Sequence, residues 1–174
     1  LNSIGINIKK SDPKIKKLLD EVKDREFIGY SYDGADASFE LLARRLMGEI
    51  PRYILIDEYD VSVKKDKIGE IISIAKAQLV VDGKKILCEG KGNGPVNALD
   101  NAIRKNVNKL AKYSEYLKDL KLVDYKVRIL NTGTEAVTRV SIESADSKGK
   151  NWFTIGVSPN IIEASFKALI DSLD

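Results

Sequence analysis

Hydrophobic residues in the first fifty positions recur at the spacing of an α-helix. Ser11 and Asp12 precede Pro13, which is typical of a helix start. The apolar residues that follow lie three or four positions apart and are predicted to share one helix face: Ile15, Leu18, Leu19 and Val22. An ordered loop is predicted over 25–35. A second amphipathic helix follows it, carries Phe39, Leu42 and Leu46, and is predicted to end before Gly48 and Pro51. Two helices of this size cannot enclose a core alone, so we expect them to pack on other elements.

From Tyr53 onward the hydrophobic period changes to two, which predicts β-strands. Apolar residues of one parity indicate a single strand face: Tyr53, Leu55, Tyr59, Val61 and Val63. A second strand covers roughly 70–81, the Asp82-Gly83 pair suits a type I′ hairpin turn, and a third strand runs to about Gly90. A helix then follows the Gly-Asn-Gly-Pro sequence at 92–95, and its apolar residues form one stripe: Val96, Leu99, Ile103, Val107 and Leu110.

The second half of the chain repeats this order of elements. Strands are predicted over 120–130, 135–144 and 151–157, with a turn at 146–149, and Ser158-Pro159 opens a final helix. Seven identities recur at one constant offset: Tyr59/Tyr125, Val61/Val127, Gly83/Gly149, Lys84/Lys150, Gly90/Gly156, Ala98/Ala164 and Ala102/Ala168. Coincidence between two ordinary α+β stretches is the alternative, but hairpin glycine matches hairpin glycine and helix alanines match helix alanines. We therefore predict an α+β fold of two βββα units, about 53–110 and 119–173, related by a pseudo-twofold.

Composition and charge narrow the possible functions. The net charge is only +3, from 29 basic and 26 acidic residues, and the densest basic stretch, Lys9 to Lys17, is interleaved with apolar positions. Such a stretch is more typical of a solvated helix face than of a nucleic-acid footprint. The sequence has neither an apolar run of membrane-spanning length nor a signal-peptide pattern. We therefore expect no nucleic-acid or membrane partner, and the composition fits the cytoplasm.

The chain contains no histidine and a single cysteine. Ser-His-Asp and Cys-His nucleophiles and imidazole-bound metals are thus excluded. Cys88 follows Ile86 and Leu87 in a predicted strand and is interpreted as an inert, packed thiol. Asp57, Glu58 and Asp60 are acidic neighbours, but strand alternation separates Asp57 from the other two, so they are predicted to be surface residues and not a metal site.

The most informative segment is residues 89–95, Glu-Gly-Lys-Gly-Asn-Gly-Pro, between a strand end and a helix start. Free backbone N–H groups and the helix dipole favour an anion there. The segment lacks the spacing of a P-loop or a dinucleotide fingerprint, so a carboxylate fits better than a pyrophosphate. Alternatively, the glycines only form a tight turn. A second candidate is the Asp124-Tyr125 pair, which could meet an ammonium group or shape an apolar pocket, although such a tyrosine is more often part of a core.

Four segments together resemble a known family. Residues 92–99 (GNGPVNAL), 123–130 (VDYKVRIL) and 156–165 (GVSPNIIEAS) look like the C-terminal regulatory domain of the 2-isopropylmalate synthase family, and 29–42 (GYSYDGADASFELL) is similar to the citramalate synthase branch. The resemblance covers essentially the whole chain. It implies a helical linker subdomain over 1–50 and an allosteric, dimerising domain over 51–174.

The resemblance also implies a function. Members of the family join such a domain to a TIM barrel that needs a divalent metal and condenses acetyl-CoA with a 2-oxo acid, pyruvate in the citramalate branch. This sequence lacks the barrel, so we expect neither catalytic residues nor a cofactor in it. The regulatory domain is expected to form a homodimer and to bind isoleucine; the alternatives are a leucine sensor or a dimerisation module without an effector.

When the family's effector site is matched to this sequence by position, the resemblance implies a pocket made of residues from three segments. The residues are Gly92, Asn93, Gly94, Pro95, Val96 and Asn97; Leu122, Tyr125, Ile129 and Ala136; and Val157 with Pro159. Tyr125 and Ile129 share a strand parity, whereas Leu122 does not. A bulge or local turn is therefore needed if all three are to face one pocket.

Overall fold

The computed structural model describes residues 1, 4–9, 11–130 and 136–174. The first elements are helices α1 (Pro13–Phe27) and α2 (Asp36–Met47). Strands β1 (Ile54–Lys65), β2 (Ile71–Val81) and β3 (Lys84–Gly92) follow, and then helices α3 (Pro95–Val107) and α4 (Ala111–Leu117). Strands β4 (Lys121–Ile129), β5 (Thr138–Ala145) and β6 (Asn151–Ser158) precede helix α5 (Ile161–Leu173). The prediction of two βββα units after a helical segment is confirmed.

The helical pair α1–α2 forms where its capping residues predict. The carboxylate of Asp12 accepts a hydrogen bond from the backbone N–H of Lys14 at 2.9 Å, and Gly48 ends α2 in the left-handed region at φ 77°. The pair has a small core of its own: Ile6, Leu18, Leu42, Ala43 and Met47. Leu19 is 53% exposed, so its predicted place on the buried face is wrong. Successive helix residues lie about 100° apart, and the face of α1 that turns inward is narrow and centred on Leu18.

Each unit is a three-stranded antiparallel sheet, β1-β2-β3 or β4-β5-β6, with a helix on one face. Helix α3 packs on the first sheet and α5 on the second. We call the helix-covered face of each sheet its inner face and the opposite one its outer face. The buried residues of both units merge into one core.

A β-bulge in β1 corrects one prediction. The register of β1 against β2 shifts between Ile56 and Glu58. Leu55 consequently lies opposite Val80 on the outer face and is 44% exposed, whereas Tyr59 lies on the inner face. The predicted common face of Leu55 and Tyr59 is therefore wrong, because a bulge inserts one residue and reverses the alternation.

The internal repeat extends to fine details of the backbone. Helix α5 begins and ends at the constant offset from α3, and the bulge of β4 lies at the same offset from that of β1. The middle strands deviate, because Tyr59 pairs with Ala77 whereas Tyr125 pairs with Ile142 instead of Glu143, the counterpart of Ala77 at that offset. The longer turn between β5 and β6 restores the offset for the last strand. In the first unit Asp82 and Gly83 have φ of 49° and 75°, as the predicted type I′ turn requires.

Glycine and alanine recur in the repeat because helix and sheet approach closely. A Cβ at Gly90 would lie 2.6 Å from the carbonyl oxygen of Ala98, and one at Gly156 would lie 2.9 Å from the backbone nitrogen of Ala168. Real Cβ atoms do not approach backbone this closely. Each unit therefore has a glycine–alanine seam along which its helix lies directly on its last strand.

The remaining differences concern element ends. Helix α3 ends at Val107, Leu110 precedes the unpredicted short helix α4, and β3 extends to Gly92. The predicted start of the fifth strand at Glu135 lies outside the described residues. Cys88 is buried, as expected, and burial raises the pKa of its thiol.

The helical pair packs on the second unit, which confirms that it needs other elements. Helix α2 contacts β6 and α5, and Ile155 and Val157 on the outer face of β6 are buried. Their counterparts on β3 are Glu89 and Lys91, which are exposed. At these two positions of the last strand, the outer face is thus apolar on the sheet that the helical pair covers and charged on the other sheet. A domain boundary at residue 50 stays a prediction.

Candidate functional site

The start of α3 leaves backbone donors without a side-chain cap. The N-cap residue is Gly94, in extended conformation (φ −155°, ψ 165°), and Pro95 occupies the first turn. The carbonyl of Gly94 accepts the hydrogen bond from the N–H of Ala98 at 2.9 Å. The N–H groups of Val96 and Asn97 therefore lie in the first turn, where a helix supplies no acceptor, and no described side chain caps them.

The equivalent start of α5 is closed by its own residues. Asn160 is the counterpart of Gly94 in the repeat, and its side-chain oxygen accepts from the N–H groups of Ile162 at 2.8 Å and Glu163 at 3.2 Å. Glu163 also places a carboxylate in the first turn of α5, whereas the first turn of α3 has no acidic residue. Of the two related helix starts, only that of α3 can offer its N–H groups and dipole to an external carboxylate.

The backbone around the α3 start is braced. A Cβ at Gly92 would lie 2.6 Å from the nitrogen of Ala98, so only glycine fits where β3 meets the helix. The side-chain amide of Asn101 donates to the carbonyl of Lys91 at 2.9 Å and ties the helix to the strand end. In contrast, a Cβ at Gly94 would meet open space. A ligand can thus reach the first turn beside Gly94, while the surrounding backbone is held in place.

The bulge in β4 turns the three predicted β4 residues to one face. Leu122 pairs with Ser144, Tyr125 with Ile142 and Ile129 with Thr138, so all three lie opposite buried inner-face residues of β5. Leu122 and Tyr125 pack against the common core, whereas Ile129 is 67% exposed. The bulge that Leu122 needs in order to share a face with Tyr125 and Ile129 is therefore present.

The two repeated tyrosines both reach α5 and not α3. The hydroxyl of Tyr59 donates to Glu163 Oε2 at 2.8 Å, and burial, reinforced by this carboxylate, raises the pKa of Tyr59 to about 12. The hydroxyl of Tyr125 lies 2.8 Å from Ser165 Oγ. Asp124, the proposed partner of Tyr125, forms an ion pair with Lys126 at 2.7 Å, which lowers the pKa of its carboxyl. The prediction that Asp124 receives an ammonium group gains no support from this pairing.

The other predicted pocket residues lie apart from the α3 start. Val157 is buried on the outer face of β6, where a Cβ at Gly29 would lie 3.3 Å from its Cγ1. Pro159 is exposed before α5, and Ala136 is half-buried before β5. No hydrogen bond between described residues joins the α3 start to β4. The predicted residues thus come from separate elements: the start of α3, strand β4, the segment before β5, and the end of β6 with the turn before α5.

Among the described residues, no three His, Cys, Asp or Glu side chains are placed to hold a metal ion. Asp57, from the acidic cluster in β1, instead forms an ion pair with Lys85 at 2.8 Å, which lowers the pKa of its carboxyl. No helix in the described part of the chain is both long and apolar enough to cross a membrane.

Sequence reasoning missed two sets of polar residues. One is the Asn160 cap, which an asparagine just before an apolar helical stripe would have revealed. The other is a network at the end of α5 formed by Ser38, Arg45, Asp171 and Asp174. Its only sequence signal is that the carboxylates at 171 and 174 correspond to Lys105 and Asn108 in the first unit.

Comparison with known proteins gives consistent matches. The sequence profile of the LeuA allosteric (dimerisation) domain matches residues 33–174. The chain is 44% identical over 176 residues to an (R)-citramalate synthase of Aquifex aeolicus, covering 99% of this chain and 33% of that protein. It is 41% identical to the (R)-citramalate synthase of Geobacter sulfurreducens, covering 98% of this chain and 32% of that protein. A 2-isopropylmalate synthase of Burkholderia ambifaria is 36% identical over 100 residues, covering 58% of this chain and 18% of that protein. The chain spans about a third of the length of the citramalate synthases that it matches.

Proposed function

This chain belongs to the family of LeuA allosteric (dimerisation) domains, and on that premise we propose that it is the effector-binding part of a citramalate synthase. Its effector is a branched-chain amino acid, and isoleucine is the first candidate. The observation that carries the proposal is the start of α3, where Gly94 leaves the N–H groups of Val96 and Asn97 uncapped. They receive the carboxylate of the amino acid.

The contrast with α5 supports this choice of site. A carboxylate at the α5 start would compete with Asn160 for the same N–H groups and would meet the charge of Glu163. Neither obstacle exists at α3. The aliphatic side chain of the effector is sorted by Val96 and by the inner-face residues of β4, Leu122, Tyr125 and Ile129. No hydrogen bond between described residues joins β4 to the α3 start, which supports a pocket that is completed across a homodimer.

The relatives support a proposal for the enzyme to which this chain belongs. Relatives of threefold length that carry the name (R)-citramalate synthase support a parent enzyme that joins acetyl-CoA to pyruvate in a separate, metal-dependent domain. This chain alone then has no condensing activity. The cytoplasm is the proposed location, since the enzyme would draw on central metabolites.

Titration calorimetry of the 174-residue chain with isoleucine, leucine and valine tests the proposal. One methylene discriminates by only ~1–3 kcal/mol, so we expect isoleucine to bind roughly 10- to 200-fold more tightly than valine. Tighter binding of leucine would identify a leucine sensor of the 2-isopropylmalate synthase type. If none of the three produces heat at millimolar concentration, the chain is a dimerisation module without an effector, and the proposal is refuted.

A further inference from the structure

Helix α2 is fastened to the second unit by a buried ionic network. The guanidinium of Arg45 binds Asp171 at 3.2 Å and Asp174 at 2.5 Å, both at the end of α5. The side chain of Arg45 is only 14% exposed and that of Asp174 only 1%. We call Arg45, Asp171 and Asp174 the clasp.

The clasp also reaches two strands. The second oxygen of Asp174 accepts from the backbone N–H of Ile54 at 2.9 Å, at the start of β1. The second oxygen of Asp171 accepts from Ser38 Oγ at 3.0 Å, and Ser38 in turn accepts from the N–H of Ile155 in β6 at 3.0 Å. The clasp and Ser38 thus connect four elements, α2, α5, β6 and, from the first unit, β1.

The internal repeat shows that the clasp is specific to one unit. The positions equivalent to Asp171 and Asp174 are Lys105 and Asn108 at the end of α3. Arg45 would meet a like charge there. The carboxylates therefore determine which of two similar units the helical pair can dock on, in addition to the apolar outer face of β6.

The same helix is tied to the first unit at its other end. Tyr59 of β1 donates to Glu163 in the first turn of α5, and its ring lies 4.8 Å from that of Phe166. Strand β1 thus holds α5 near both ends, through Tyr59 and through Ile54. Any displacement of β1 against the second unit must move α5 or break these contacts, and α5 carries α2 with it through Arg45.

We propose that the clasp is a positioning device that couples the helical pair α1–α2 to both βββα units, with Arg45 as its positioning residue. With Arg45 in place, α2, α5 and the start of β1 move as one body. Without it, the helical pair opens more readily from the second unit while both sheets stay folded. The part of the proposal that concerns signal transfer from a bound amino acid rests on the proposed function; the mechanical part does not.

Hydrogen–deuterium exchange of the ligand-free 174-residue chain tests the mechanical part. In Arg45→Met, amides of α2 should exchange ~100-fold faster than in the wild type, because loss of one partner leaves buried carboxylates unpaired. Amides of β2 and β5 should stay within ~3-fold. The matched control is Arg52→Met. Arg52 lines the same cleft between α2, β1 and α5 as Arg45, but it is exposed. Its exchange should equal that of the wild type.

Two outcomes would overturn the mechanical part. One is unchanged exchange of α2 in Arg45→Met, and the other is acceleration of β2 and β5 as large as that of α2. If Arg45→Met does not fold, Asp171→Asn decides the question, because it keeps the pairing of Arg45 with Asp174. A ~10-fold increase in the amide exchange rate that is confined to α1 and α2 supports the clasp, and an unchanged exchange rate there refutes it.

Hydrogen–deuterium exchange and calorimetry with isoleucine test whether binding of the amino acid is transmitted to α2. In the wild type, isoleucine should change the exchange of α2, and in Arg45→Met it should bind with the same Kd but leave α2 unaffected. Equal ligand effects on α2 in both proteins would refute the coupling role. Absence of heat with the wild type would instead refute the proposed function, and the ligand-free comparison would still decide the mechanical part.

Discussion

Replacing Gly94 with asparagine should close the α3 start in the way that Asn160 closes α5. The φ of −155° at Gly94 suits any residue, and a Cβ there meets open space, so the variant should fold normally. The new side chain can accept from the N–H groups of Val96 and Asn97, as Asn160 does from the corresponding groups of α5. Asparagine is slightly better than glycine at an N-cap, so the free energy of unfolding should rise by a few tenths of a kcal/mol, about 0.3.

The same substitution should weaken binding of the effector. A carboxylate that accepts a backbone N–H gains roughly 1.5–3 kcal/mol per charge-assisted hydrogen bond, and the asparagine side chain would take these donors first. A loss of ~2 kcal/mol corresponds to a Kd about 30-fold higher for isoleucine. Titration calorimetry at one pH, with urea unfolding as the stability measurement, gives both quantities.

The matched control is Asn160→Gly, which opens the α5 start by the reverse change. It should lower stability by a few tenths of a kcal/mol, about 0.3, and leave the Kd for isoleucine unchanged. If Gly94→Asn is as stable as expected yet binds isoleucine as tightly as the wild type, the carboxylate does not lie at the α3 start. The reasoning from the uncapped donors would then be wrong.

Three further predictions concern stability. Gly156→Ala should destabilise the chain by about 3 kcal/mol in urea unfolding, because the new Cβ would meet the backbone of Ala168 at 2.9 Å. The control is Gly94→Ala, where the new Cβ meets open space. Equal stabilities of the two variants would contradict the tight glycine–alanine seam. Tyr59→Phe should cost ~1–2 kcal/mol in thermal unfolding through loss of the hydrogen bond to Glu163, and an unchanged Tm would exclude that bond. Asp174→Asn should alter the pH dependence of stability. Burial, opposed by Arg45 and the Ile54 N–H and assisted by Asp171, raises the pKa of Asp174 from 3.8 to about 6. The folded state therefore keeps this proton longer than the unfolded state, and stability falls by ~3 kcal/mol as the pH rises from about 4 to 6. The variant should lack this part of the decline, and identical pH profiles would refute the raised pKa.

The sequence predicts those parts of the fold that local chemistry determines. Asp12 and Gly48 end helices through their own backbone and side-chain geometry, and Asp82-Gly83 forms the expected turn. The sequence does not predict the bulge of β1, and it predicts that of β4 only as a condition for Leu122 to share a face with Tyr125 and Ile129, because an alternating pattern does not show where a residue is inserted. Leu55 was consequently assigned to the wrong face, and the placement of Leu122 required the structure.

The candidate site was predicted to a similar extent. The glycines at 92 and 94 and the following proline predict a helix start that can receive an anion, and the structure adds that Gly94 is the N-cap and lacks a capping side chain. The separation of Val157 from that start could not be predicted, because it depends on the helical pair covering β6. The clasp escaped prediction for the same reason: Arg45 and Asp174 are 129 residues apart in sequence.

The glycine–alanine seams set how each unit can respond to force. At Gly90 the backbone of β3 contacts Ala98 and Ala102 directly, so no side chain separates helix from strand along this line and the helix cannot slide or roll there. We expect a displacement of the first turn of α3 to be passed directly to β3, because the two backbones are in contact at Gly90 and Gly92. For the effector site proposed at the α3 start, we therefore expect a ligand that contacts the first turn to shift β3 together with the helix.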